Sequence, residues 1–329
     1  MSAAGGLRTA LRMIFGSTGS AVDSLAATDA EIRAGLPLSR RVSFVSLAGG
    51  SGTTTTGASV AATLAGRRTG SLLAVDADGG RSGLRTQLIA AGAGRPADDD
   101  HAERRRSART VEDARAGLPL AGRLPLLDLN ALDLNASPSA TTLVRPRSVA
   151  EWTDQLGPIA RFFDLVLTDW GVRPAGEDLQ QVAYSGHVLV LVSRADQPAA
   201  VSAANALAGL QALPDGPRLL LALADVDRTS TPRRLAPTLA GSLDVPVFRL
   251  PYDAVVGSDW LHAAGRRSVA SRRALARLAA GIVTEAAGIR ASGRLPTRSS
   301  ATSSAKPPRP PSLPPAARPS DGDDWVVTT

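Results

Sequence analysis

Seven short apolar runs punctuate the chain: Val42–Leu47, Ser71–Asp76, Leu124–Leu129, Phe163–Asp169, His187–Ser193, Arg218–Ala224 and Val245–Leu250. Each is rich in valine or leucine and bounded by glycine, proline, aspartate or serine, as expected of strands buried on both faces. Between them, helical spacing recurs at about 54–68, 149–161, 198–212, 231–241 and 268–287. Strands alternating with helices predict an α/β domain over residues 38–290, with a mostly parallel sheet of about seven strands and helices on both faces. The last predicted helix carries a core-facing stripe of Leu275, Leu278, Ala279, Ile282 and Val283.

The ends read differently. Residues 1–37 form an N-terminal segment with a short amphipathic helix, in which Leu7, Leu11, Ile14 and Phe15 share a face beside Arg8 and Arg12. Such a helix packs on the domain, on a partner, or on an anionic membrane surface with marginal affinity. Residues 291–329 hold eight of the 23 prolines and seven serines, and are expected to be a disordered, partly polyproline II tail. The tail ends in DDWVVTT, read either as an incidental end or as a docking motif. A charged run at 95–115, containing Arg104, Arg105 and Arg106, is expected to be a solvated insertion.

Composition narrows the chemistry. The 329 residues include no cysteine, which removes disulfides, thiol nucleophiles and cysteine metal sites. His101, His187 and His262 are too dispersed for a histidine-rich metal centre. The only lysine is Lys306, so chemistry that needs a lysine ammonium in the folded part is missing. The basic excess looks like a nucleic-acid signal but is small, with 27 basic against 24 acidic groups over residues 42–290. No run approaches the roughly 20 apolar residues of a membrane span, and residues 1–16 do not read as a secretory signal. The expected location is cytoplasmic, with peripheral contact at the inner face of the membrane left open.

Between the first run and the first helix lies Leu47-Ala48-Gly49-Gly50-Ser51-Gly52-Thr53-Thr54-Thr55-Thr56. A glycine-rich turn from a buried strand into a helix N-terminus is where an α/β fold binds phosphate, because free N–H groups and the helix dipole face the anion. A working nucleotide loop also needs a lysine on the phosphates and a hydroxyl on Mg²⁺. Here the hydroxyls are present and the lysine is not. On a purely structural reading, Thr53–Thr56 cap the helix instead.

The string SLAGGSGTTTT resembles the deviant P-loop of the MinD/ParA ATPases, S-x-K-G-G-V-G-K-T-T-T, with Gly49, Gly50, Gly52, Thr54 and Thr55 matching. The family's signature lysine falls on Ala48 and its P-loop lysine on Thr53. Four further segments agree in order: Ser71–Asp78, the Walker B-like Phe163–Asp169, His187–Ser193 with Arg194-Ala-Asp-Gln-Pro, and Pro251-Tyr252-Asp253. The family's adenine-contacting Asn falls near Ala224-Asp225. The lead-in to the loop and the Ala74–Ala77 segment look most like the MinD-like proteins of actinobacterial type VII secretion loci.

The resemblance implies a P-loop NTPase-like fold and names a site. Gly49, Gly50, Ser51, Gly52, Thr53, Thr54 and Thr55 would contact nucleotide. Thr54, Asp76 and Asp169 would hold Mg²⁺, and Asp78 would orient the attacking water in an active member. With both lysines replaced, ATP and Mg²⁺ are expected to bind weakly or not at all. The implied function is that of a catalytically degenerate regulatory or scaffold component, with partners in secretion or cell-division machinery and a homodimer left open. The alternative is an active Mg-ATPase positioning DNA or cargo in chromosome partitioning, septum placement or pilus assembly. For nucleic acid, the candidate surface is Arg266, Arg267, Arg272, Arg273 and Arg277 around the last helix.

Overall fold

The computed structural model describes residues 22–79, 83–88, 99–130, 145–228, 231–255 and 266–288. The amphipathic segment at 7–15 and the tail from 291 onward lie outside the described residues.

The strands are β1 (Arg40–Ser46), β2 (Leu72–Asp76), β3 (Leu120–Ala121), β4 (Leu124–Asp128), β5 (Leu165–Val172), β6 (Val188–Arg194), β7 (Arg218–Ala224) and β8 (Val247–Leu250). They form one sheet ordered β3-β4-β2-β5-β1-β6-β7-β8. All neighbours pair in parallel except β3 with β4, which are antiparallel. The seven expected runs are seven of these strands, and the added one is the two-residue β3.

The helices are α1 (22–33), α2 (Thr53–Arg67), α3 (Leu84–Leu88), α4 (Asp99–Arg106), α5 (Val111–Ala114), α6 (Val149–Leu156), α7 (Glu177–Ser185), α8 (Gln197–Gln211), α9 (Thr231–Ser242) and α10 (Val269–Gly288). Alternate residues of each strand feed two cores. On one face Val42, Phe44, Val188, Val190, Leu220 and Ala222 pack with Val60 and Leu64 of α2 and Leu278 and Ile282 of α10. On the other, Val45, Leu189, Leu191, Leu221 and Leu223 pack with Trp152 of α6, Val182 of α7 and Leu207 of α8. Both faces of the central strands are therefore apolar, which is why they read as continuous runs.

Two tryptophans anchor the second core, with ring centroids 5.5 Å apart. Each indole N–H is satisfied, Trp152 donating to Thr168 and Trp170 to Ser43, both at 3.1 Å. The α6 helix starts at a capping box: Ser148 Oγ accepts from the Glu151 N–H, and the Glu151 carboxylate accepts from the Ser148 N–H. Ser148→Ala should cost about 1 kcal/mol in a urea titration. An unchanged midpoint would show that packing of Trp152 alone sets this helix.

Three expectations need correction. Packed structure begins before residue 38, because Ile32 is fully buried and Arg68 donates to the carbonyls of Ile32 and Ala34. The described part of the 95–115 insertion contains the two helices α4 and α5, with Arg105 buried and donating to the Ala116 carbonyl at 2.6 Å. Its neighbours Arg104 and Arg106 pair with Asp113 and Glu103. The helix expected over 149–161 stops at Leu156, and a short 3-10 turn follows at Ala160–Phe162. No helix among the described residues is long and apolar enough to cross a membrane.

Candidate functional site

β1 sits at the middle of the sheet between β5 and β6, so the chain leaving it enters the crevice where the strand order reverses. Ala48, Gly49 and Gly50 are exposed there, while Ser51 and Thr53 are buried. Gly50 and Gly52 have φ of 74° and 77°, a left-handed conformation that glycine adopts without strain. The loop is braced from inside, since Ser51 Oγ and Ser46 Oγ both donate to the Ala48 carbonyl, at 2.8 and 3.2 Å.

Gly52 is the N-cap of α2 and supplies no side-chain hydrogen bond. The threonine hydroxyls do not cap this end either. Thr53 Oγ1 is buried without a partner, Thr54 Oγ1 donates to Asp78 Oδ2 at 3.5 Å, and Thr55 Oγ1 accepts from Gln87 at 3.2 Å. The amino end of a 15-residue helix, with its partial positive charge, thus meets the loop without a side-chain acceptor.

Opposite the loop the structure gathers carboxylates. The register aligns Asp128, Asp76 and Asp169 across β4, β2 and β5, and Asp78 follows two residues beyond Asp76. Asp76 Oδ2 accepts from the Arg85 N–H at 3.0 Å and Oδ1 from Asn130 Nδ2 at 3.1 Å. Asp169 Oδ1 accepts from the Gly171 N–H at 3.0 Å, whereas its Oδ2 is buried without a partner.

Burial first, and then the charges of Asp78, Asp169 and Asp128, push the Asp76 carboxyl well above its usual range. Burial and the Asp78 charge raise Asp169 to about 7, against the opposing pull of the Thr54 hydroxyl, the Gly171 N–H and Arg173. Among the described residues, no group of three or more histidine, cysteine, aspartate or glutamate side chains is arranged to hold a metal ion. The expected site residues Thr54, Asp76, Asp78 and Asp169 are brought together. Asp128 and Asn130 join them; Asp128 lies inside the end of the Leu124–Leu129 run, where the sequence singled out no acid.

In sequence, the arginines that flank the loop are Arg41 and Arg67. The fold brings Arg194 closer, from the end of β6. Its Nη1 lies 3.9 Å from where a Cβ on Gly50 would stand. This guanidinium is already engaged, by Asp196 at 3.1 Å and by Asp227 at 2.5 Å. All three side chains are 38–54% exposed, so Arg194→Ala should change stability by less than about 1 kcal/mol. A larger loss on thermal unfolding would mean that Arg194 organises the loop.

A cavity of about 280 Å³ flanks the loop, bounded by Gly52, Thr55, Ala224, Asp225 and the Pro251–Asp253 segment. Two segments singled out in the sequence, Ala224-Asp225 and Pro251-Tyr252-Asp253, therefore meet at one wall. Arg267 also lines it and is buried. That removes Arg267 from the basic surface expected around the last helix, where Arg266, Arg272, Arg273 and Arg277 are exposed.

No family model matches this sequence, and no curated protein matches it either. Solved structures do match in shape. A ParA family ATPase from Chlorobium tepidum superposes with TM-score 0.55 at 18% identity, covering 73% of this chain and 98% of that one. MinD in the MinC:MinD cell division complex of Aquifex aeolicus gives 0.54 at 14%, covering 74% and 96%. The cell division ATPase MinD of Pyrococcus furiosus gives 0.52 at 23%, covering 75% and 99%. At these identities the likeness is one of fold: the chain has the α/β fold of the ParA and MinD P-loop ATPases.

Proposed function

We propose that this protein is a catalytically degenerate relative of the MinD/ParA ATPases that works as a regulatory or scaffold component rather than as a nucleotide-driven motor. The observation that carries the reading is the loss of both lysines at the glycine loop. Ala48 and Thr53 stand at the two lysine positions, and the guanidinium beside Gly50 is held by Asp196 and Asp227. Phosphoryl transfer builds negative charge that such a cation must offset, a contribution typically worth several kcal/mol.

The donor set does not fit a tightly held ATP·Mg²⁺. The turn and the free helix end would accept an anion, but the far side presents Asp76, Asp78 and Asp169 with no lysine to balance a triphosphate. Asp76 is instead spent on the Arg85 N–H and on Asn130, a structural tie between β4 and the start of α3. Weak binding through the loop backbone is the most that this arrangement supports.

A protein of this kind would meet its partners through the α/β surface, α10 and the proline-rich tail. The sequence resemblance points to type VII secretion machinery, and the exposed Arg266, Arg272, Arg273 and Arg277 offer an acidic partner a docking face. A motor of the ParA type would assemble in response to nucleotide, whereas a scaffold would not. Sedimentation of the full chain with and without ATP·Mg²⁺ should give the same oligomeric state; an ATP-induced dimer would contradict the reading.

A further inference from the structure

The half of α2 remote from the glycine loop borders two hollows that the glycine-loop site does not use. One, of about 440 Å³, lies among α2, α3, α10 and the β3–β4 hairpin, with Ala62, Leu88, Ala121, Leu124 and Leu275 as its apolar floor. The other, of about 320 Å³, lies among the last turn of α2, the start of β2 and α5. Among the described lining residues of the two, five are arginines (Arg67, Arg115, Arg123, Arg267 and Arg272) and none is aspartate or glutamate. Residues 42–290 as a whole carry 27 basic against 24 acidic groups, so this one-sided lining is a local feature.

Two of the five charges are answered within the chain. Arg267 is buried and feels the charge of Asp253, and Arg67 lies 3.6 Å from Asp29. The other three are exposed and meet only neutral acceptors. Arg115 donates to Ser71 Oγ at 2.8 Å, Arg123 to the Arg68 carbonyl at 2.7 Å and Arg272 to the Arg267 carbonyl at 2.6 Å. Asp164, beside Gly70 of the smaller hollow, accepts from the Ser71 N–H at 2.9 Å and pairs with none of the three. Each guanidinium is thus held in place by one bond, with further donors and its charge left for a partner.

We infer that this face is a docking groove for an acidic, amphipathic segment of a partner protein. Its apolar side chains would enter between α2 and α10, and its carboxylates would meet Arg272, Arg123 and Arg115. The floor calls for apolar anchors, while the rim favours acidic flanks and repels basic ones. A nucleic-acid strand would suit the rim but not the floor, whose lining has no aromatic ring for a base to stack on. The inference rests on the scaffold reading and narrows its acidic-partner face, because of the exposed arginines around α10 only Arg272 lines the groove. The groove lining includes no residue of the glycine loop, so peptide binding should be indifferent to ATP·Mg²⁺. Nucleotide-driven assembly and peptide docking can therefore fail separately.

The test is fluorescence anisotropy of a labelled peptide of about 15 residues, roughly four helical turns, with glutamate on one face and leucine on the other. It is titrated with the full chain to about 100 μM, a range that covers weak, transient binding. Saturable binding is expected, at least about tenfold weaker when glutamine replaces glutamate or alanine replaces leucine. Arg123→Glu with Arg272→Glu should abolish it. Arg273→Glu with Arg277→Glu changes the net charge equally but outside the groove, and should leave binding within about threefold. Ala62→Trp, which fills the groove from an exposed position of α2, should also abolish it. The inference is overturned if the unaltered chain does not bind the peptide, if the glutamine peptide binds as well, if both charge variants lose binding alike, or if Ala62→Trp keeps it. Dimerisation that displaces the peptide would assign the groove to a second copy and overturn it too. Should Ala62→Trp fail to fold, the two charge variants decide.

Discussion

Ala48→Lys combined with Thr53→Lys should give the protein saturable ATP·Mg²⁺ binding, tighter than the unaltered chain by about a hundredfold. That ratio corresponds to roughly 2.7 kcal/mol, within the range of a well-placed cation at a phosphate. The expectation rests on what the loop already has. Gly50 and Gly52 hold the left-handed turn, and no side chain caps α2. Ala48 is exposed, so a lysine there has room; Thr53 is buried, so its replacement must extend out along the loop. Calorimetric titration of the double variant checks the gain. A folded double variant with no gain would mean that the loop is not a phosphate cradle, and that missing lysines are not what the site lacks.

Asp169→Asn is expected to stabilise the protein above neutral pH, by up to about 4 kcal/mol at pH 8. An aspartate in the unfolded chain ionises near pH 3.9, whereas Asp169 in the fold does so at about 7. Below about pH 4 the carboxyl is neutral in both states and costs nothing. As pH rises toward 7 the unfolded chain releases its proton while the folded one retains it, so stability falls through that window and levels off above it. Asparagine keeps an acceptor for the Gly171 N–H and removes the buried charge. The gain should therefore be small at pH 4 and large at pH 8. The slope should lessen rather than vanish, because the Asp76 carboxyl is raised by the same burial and the same neighbours. Urea titrations at the two pH values measure the difference, and a variant tracking the unaltered chain at both would show that Asp169 carries no buried charge.

The strands were legible because both faces of the sheet are covered, so Val188–Val192 and Leu219–Leu223 read as unbroken apolar runs whichever core each residue enters. β3 was not, since two residues between glycine turns carry no period. α7 was missed because its stripe of Leu179, Val182 and Ala183 is short and lies among polar residues. The deeper difficulty concerns arginine. Pattern reading counts every arginine as surface, yet Arg40, Arg68, Arg105, Arg147, Arg173 and Arg267 are all buried. Several use the guanidinium fork to satisfy carbonyls, as Arg173 does with Trp170 and Arg147, and Arg40 with Ala286.

The same blindness hid Arg194. It is far from the loop in sequence, and only the pairing of β6 with β1 brings it there. Lysine depletion alone would have left arginine wherever a cation was needed. Arginine does stand beside the loop, with its Nε and Nη2 paired to Asp196 and Asp227. The proposal of a lost mechanism therefore rests on Ala48 and Thr53 at the two lysine positions rather than on composition.

That claim is tested most directly by phosphate release from ATP·Mg²⁺ by the unaltered full chain, measured beside Asp78→Ala. The account expects no release above the background shared by both proteins. Turnover by the unaltered chain that Asp78→Ala abolishes would contradict it and establish a working ATPase.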